Sequence, residues 1–141
     1  MNWKTLKEAR GKLAAEQGTI IKDWGGRIHI ALIYPSSYSS GMSNLGFQTI
    51  YGFLNQHDQI VCERAFYDGC EPVSLESQRP LTDFDILAFS FSYELDYFNA
   101  ARLLESSSIP VLASDRGKHH PLLIAGGPAV MANPEPMAPL L

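Results

Sequence analysis

Two predominantly apolar runs, Ile28 to Tyr34 and Ile86 to Phe91, constrain what this chain can fold into more than any other feature. Both lack the polar alternation of a one-sided strand and both are too short for a helix, which is the pattern of strands buried on both faces. Each run then gives way to small polar residues and to helical periodicity. After the first, Pro35 stops the strand and Ser36 to Leu45 form a polar, turn-rich loop. Phe47, Ile50, Tyr51 and Leu54 then recur at i, i+3, i+4 and i+7, the stripe of a helix packed on a sheet. After the second run, Ser92 is expected to cap a helix with Glu94 and Asp96 in its first turn and Tyr97, Ala100, Ala101 and Leu104 as its buried stripe.

The rest of the chain supplies two more strands and their connections. Ile60 to Phe66 reads as a strand, and Tyr67 to Pro80 as an irregular segment wrapping a sheet edge. Leu122 to Ala125 is a further strand, running into Gly126-Gly127-Pro128. Between these, Ser106 to Ser108 are expected to fray the helix before them, Ile109 to Ala113 to form a short extended piece and Asp115 to His120 a charged turn. Upstream, Trp3 to Glu16 has the spacing of an amphipathic helix, ended at Gly18. Strand and helix alternate, which argues for a parallel sheet with right-handed crossovers and helices on both faces. The expected fold class is α/β, flavodoxin-like, with strand order 2-1-3-4-5. Residues 1–25 form a helix and lead-in, and residues 26–141 the α/β domain. Asn133 to Leu141 offer the start of a helix with no strand after it. The domain is therefore expected to be truncated before its last strand, with an apolar face open to self-association.

Composition narrows the function classes. With 45% apolar residues, 141 residues suffice for one core without a disulfide or a metal. Eleven basic against fifteen acidic residues, a net charge of -4 and no basic run argue against nucleic acid as a partner. The apolar runs are far short of a bilayer span and no secretory apolar region opens the chain, so a cytoplasmic location is expected. Cys62 and Cys70 have no ligand-spaced histidine near them, so neither zinc nor an iron–sulfur cluster is encoded here. His29 falls within the first strand as a packed or edge residue, and His119-His120 on a solvated turn.

In an open parallel sheet a ligand sits beyond the carboxyl ends of the strands, where neighbouring connections diverge. In the expected order that point lies between the first strand and the Ile86 strand. The loop after the first strand offers Ser36, Ser37, Tyr38, Gly41, Met42 and Asn44. The next connection offers Ser90, Ser92 and Tyr93, and the last Gly126, Gly127 and Pro128. Small and hydroxylated residues of this kind suit a bulky, polar, mostly neutral group that approaches the backbone closely. They hold no nucleophile with a base and no carboxylate cluster, so binding rather than catalysis is expected.

Several separated motifs, from about Gly18 to Leu141, resemble the amino-terminal region of a family of poorly characterised radical S-adenosylmethionine (SAM) proteins. They are Lys22-Asp23-Trp24, the run Tyr34 to Gly46, Ser74 to Leu81, Phe84-Asp85-Ile86, Ser92-Tyr93-Glu94-Leu95, Ile124 to Pro128 and Asn133-Pro134-Glu135-Pro136. The resemblance implies a cobalamin-binding-like domain ahead of a barrel in the same chain. That barrel would hold SAM and a four-iron cluster on a Cys-x3-Cys-x2-Cys loop, downstream of Leu141. Cobalamin domains that ligate cobalt from below use Asp-x-His-x-x-Gly; here that spacing reads Ser36, Tyr38 and Gly41, so cobalamin would bind without a histidine lower ligand. Ser90-Phe91-Ser92 stands where the family pattern has Ser-x-Leu, and Gly126-Gly127 keeps the later glycine pair. On this reading the corrin would rest on Tyr38 and Met42. Two alternatives stand beside it: a degenerate structural or interaction domain with no cofactor, and a flavin mononucleotide binder using the hydroxyls of Ser36 to Gly41.

Overall fold

A computed structural model describes residues 3–141. Four strands form one parallel sheet: β1 (Ile28–Tyr34), β2 (Ile60–Phe66), β3 (Ile86–Ser90) and β4 (Leu122–Gly126), in the order β2-β1-β3-β4. The architecture is α/β with the first four positions of the expected flavodoxin-like order. Both apolar runs are central strands, each paired along both of its edges. Register aligns the strands in rows: Leu32 of β1 pairs with Arg64 and Ala88, and Ala88 with Ile124.

Among the described residues, five helices flank the sheet: α1 (Trp3–Ala15), α2 (Tyr38–Met42), α3 (Leu45–Asn55), α4 (Asp96–Ser106) and α5 (Pro128–Ala132). One face carries Ala31, Ile33, Leu87, Phe89 and Leu123 into the larger core, closed by Tyr97, Ala100, Leu103 and Leu104 of α4 and by Leu81, Phe84 and Met137. The other face carries Ile30, Leu32, Cys62 and Ala88, against which Phe47 and Tyr51 of α3 pack. The segment after β2 crosses the outer edge of that strand, where the Leu75 N–H donates to the Arg64 carbonyl. Ala9 and Leu13 of α1 rest on Val73 and Leu75 there.

Four local expectations are corrected. The loop after β1 contains the short helix α2, because the Ser37 hydroxyl accepts from the Ser40 N–H and caps it. Ser92 does not cap α4. That helix starts at Asp96 with no side-chain cap bond, and its buried stripe runs through Leu103 rather than Ala101. Ser106 to Ser108 do not fray it: the Ser108 and Ile109 N–H groups donate to the Glu105 and Leu104 carbonyls, with Ser108 in the left-handed region. That is a Schellman closure, secured by burial of Ile109. Ile109 to Ala113 pair with no strand and turn instead into a single 3-10 turn at Ala113–Asp115.

Candidate functional site

Parallel pairing sends every strand-to-helix connection to the same end of the sheet, so the loop after β1 and the turns after β3 and β4 share one rim. Beneath that rim lies a cavity of about 540 Å³. Its floor is the row Leu32, Ala88 and Ile124, one residue from each of three strands. Ile50 and Leu54 of α3 form one wall. Asn44, Ser90, Ser92 and the Gly126-Gly127-Pro128 turn form the mouth.

Local chemistry explains each part of the mouth. Asn44 caps α3, its side-chain oxygen accepting from the Phe47 N–H at 2.9 Å, while its amide nitrogen donates to Ser92 Oγ at 3.1 Å. The Tyr34 hydroxyl donates to the same Ser92 oxygen, also at 3.1 Å. Both lone pairs of Ser92 are thus engaged, and its own O–H proton is the capacity left to offer a ligand. Gly127 has φ 103°, and a Cβ there would stand 2.4 Å from the Phe91 carbonyl oxygen, so no other residue fits the turn. Gly126 differs: a Cβ added there meets nothing within 4 Å. It shares strand parity with Leu122 and Ile124, so that open space belongs to the cavity side.

The structure therefore gathers Asn44, Ser90, Ser92, Gly126, Gly127 and Pro128 around one cavity, and it places the remaining candidates elsewhere. Tyr38 faces α1: its hydroxyl donates to Glu16 at 2.6 Å and its ring packs edge-on against Phe66. Burial and the adjacent Glu16 carboxylate push its phenol up to about 12. Gly41 is required by packing, since a Cβ there would meet the Phe66 ring at 2.4 Å. The Met42 sulfur accepts from Gln48 and Arg64. Ser36 donates its N–H to the Tyr34 carbonyl, Ser37 serves as a cap, and Tyr93 is exposed outside the lining. Tyr38 and Met42 are thus engaged by contacts within the fold and lie outside the lining of this cavity. The residues missed from sequence include Leu32, Ala88, Ile124, Ile50 and Leu54. Strand parity was the available signal for the first three, but a row across three strands appears only once register is known.

Behind α2 lies a buried polar cluster. Arg64 donates from Nε to Glu76 and from Nη2 to Glu16, each at 2.7 Å, and its guanidinium lies 4.4 Å from the Tyr51 ring centroid. Burial opposes ionisation of Glu16, but hydrogen bonds from Tyr38 and Arg64 and the Arg64 charge outweigh it and hold the carboxyl below its ordinary range. This cluster fastens the end of α1 to β2 and is not open to the cavity. At the sheet's other end His29 stacks on Trp24 at 4.2 Å and bonds Asp85 at 2.9 Å, so it is a packed residue at the start of a central strand. Among the described residues no group of His, Cys, Asp and Glu could hold a metal ion, and no helix is long and apolar enough to cross a membrane.

Comparison with known proteins adds the family. Residues 46–141 match the family described as radical SAM proteins, N-terminal. An uncharacterized protein of Methanocaldococcus jannaschii is 29% identical over 112 residues. The match covers 78% of this chain but 21% of that relative, so the chain spans about a fifth of the length of the protein it resembles. No solved structure matches the chain.

Proposed function

The chain belongs to the family of amino-terminal regions of radical SAM proteins, and from that premise we propose that it is the accessory, cofactor-holding module of a longer enzyme of that class. The ligand we assign to the cavity is the nucleotide tail of a cobalamin-type cofactor. One observation carries the reading: a cavity of about 540 Å³ with an apolar floor and a hydroxyl-bearing mouth lies at the carboxyl ends of β1, β3 and β4. Apolar walls with a few convergent polar groups are the usual composition of a cofactor site. Leu32, Ala88, Ile124 and Ile50 would flank a flat heterocycle, and the Ser92 proton and the Ser90 hydroxyl would meet its polar linker. The space beside Gly126 is the cradle that a side chain would fill. When bound, such a cofactor supplies a cobalt centre for one-carbon or radical transfer. This chain's residues would bind and orient the cofactor, and the lining offers no imidazole, thiolate or carboxylate to the metal.

Titration with hydroxocobalamin, followed by its visible spectrum, tests the proposal. Saturable binding by the wild-type chain and at least tenfold weaker binding by Gly126→Phe, with unchanged circular dichroism, is the expected result. No spectral change at millimolar cofactor would remove it, and yellow, fluorescent protein would indicate a flavin instead. A second reading has its own observation. Leu122, Ile124 and Ile50 are exposed beside the cavity, forming an apolar strip that a protein segment would cover as well as a cofactor. On that reading the domain is a structural module.

A further inference from the structure

On the opposite face from the cavity, a groove of about 440 Å³ runs between the first turns of α4 and the last residues of the chain. Leu95, Phe98 and Ala101 form one side, and Pro136, Met137 and Leu140 the other. Leu95 is 77% and Phe98 68% exposed, although both adjoin a groove whose lining also includes the buried Tyr97 and Met137. Large apolar side chains left in water around an apolar groove mark a surface made to be covered.

The second wall is anchored. The Tyr97 hydroxyl donates to the Asn133 carbonyl at 2.9 Å, the Ala113 N–H to the Pro139 carbonyl at 2.8 Å, and Arg116 to the Leu140 carbonyl. Since Leu140 lines the groove, any residues joined to Leu141 leave from its rim. We propose that this groove is the seat of the radical SAM domain in the longer polypeptide, which would place an apolar side chain between Phe98 and Leu140. Two facts single out this occupant. The family is an amino-terminal one whose relative is several times longer. A domain tethered at the groove's own rim also meets it at an effective concentration of about millimolar, so a small apolar contact is enough to hold it. Glu94 borders the groove, Glu135 is exposed on the same segment, and no basic residue lines it, so the partner's contacting face carries Lys or Arg. The seat depends on the chain being the accessory module of a longer radical SAM polypeptide, and not on what the cavity holds.

Hydrogen exchange in the longer polypeptide and in the 141-residue chain tests this. Amides of residues 94–101 and 133–141 should exchange at least tenfold more slowly in the longer polypeptide. Phe98→Asp or Leu95→Asp should abolish that difference, while Phe53→Asp, exposed on α3 at the other end of the sheet, should preserve it. Both groove positions are exposed, so the variants should fold, as circular dichroism would verify. Equal exchange in the two proteins would overturn the proposal. So would protection confined to residues 122–126, which would seat the domain on the β4 edge, or concentration-dependent protection in the short chain, which would assign the groove to a second copy. None of these readouts depends on cobalamin, so a failure of cofactor binding leaves them intact.

Discussion

The two faces of the sheet are finished to different degrees. Under α4, Leu87 is 0% and Leu123 5% exposed, and the helix, the Leu81–Asp83 turn and Met137 close over them. On the α3 side the cover reaches Ala88 of β3 and fails at β4, where Leu122 is 61% and Ile124 46% exposed. Apolar content does not explain the difference, since Leu123 and Ile124 are neighbours in one strand. Alternation turns them to opposite faces, and only one face has a helix packed over β4. A closed face stabilises the fold, whereas the open one leaves room for a ligand or another segment.

Substitutions that break the closed parts should have the largest effects. Arg64→Leu strands the Glu76 carboxylate in a buried site and should cost about 3–5 kcal/mol in urea denaturation. Leu87→Ala empties packed space on the closed face and should cost about 3 kcal/mol, while Ile124→Ala on the open face should cost less than about 1 kcal/mol. Equal losses at 87 and 124 would mean that the open face is covered in solution.

Smaller effects sharpen the comparison. The Glu16 carboxyl is held below its ordinary range, so its contribution is present above the unfolded value and is lost as pH falls through the folded one. Denaturation midpoints should thus fall below about pH 4.5 in the wild-type chain, and by a smaller margin in Glu16→Gln. Thiol labelling should distinguish buried from open sites without any change in stability. Burial pushes Cys62 up to about 12, so a disulfide reagent at neutral pH should modify the exposed Cys70 alone. Gly126→Phe should change stability by no more than about 0.5 kcal/mol, since the added ring enters open space.

Much of the fold could be read from residue order. Ile28 to Tyr34 is a strand at the limits that its periodicity marked, and Ser106 to Ser108 was misread because a left-handed serine closing a helix has no sequence signature beyond its neighbours. The candidate site was legible in part. Gly126-Gly127-Pro128 stands out as a motif, and Gly127 is explained by a contact with Phe91 that lies 36 residues away in the chain. Tyr38 and Ile50 show the limit in both directions. Tyr38 looked available to a ligand and is engaged by Glu16, just past the end of the distant helix α1. Ile50 looked buried and is half open because it borders the cavity beside the uncovered Ile124 of β4.

Sequence by itself determined the strands, their parallel succession and the shared end to which their connections run, because periodicity and turn chemistry are local properties of the chain. Tertiary structure alone decided which small residues meet in one cavity, which are spent holding α1 in place, and which face stays open. Those outcomes depend on register and on which helix covers which strand, and neither is encoded within reach of a single segment.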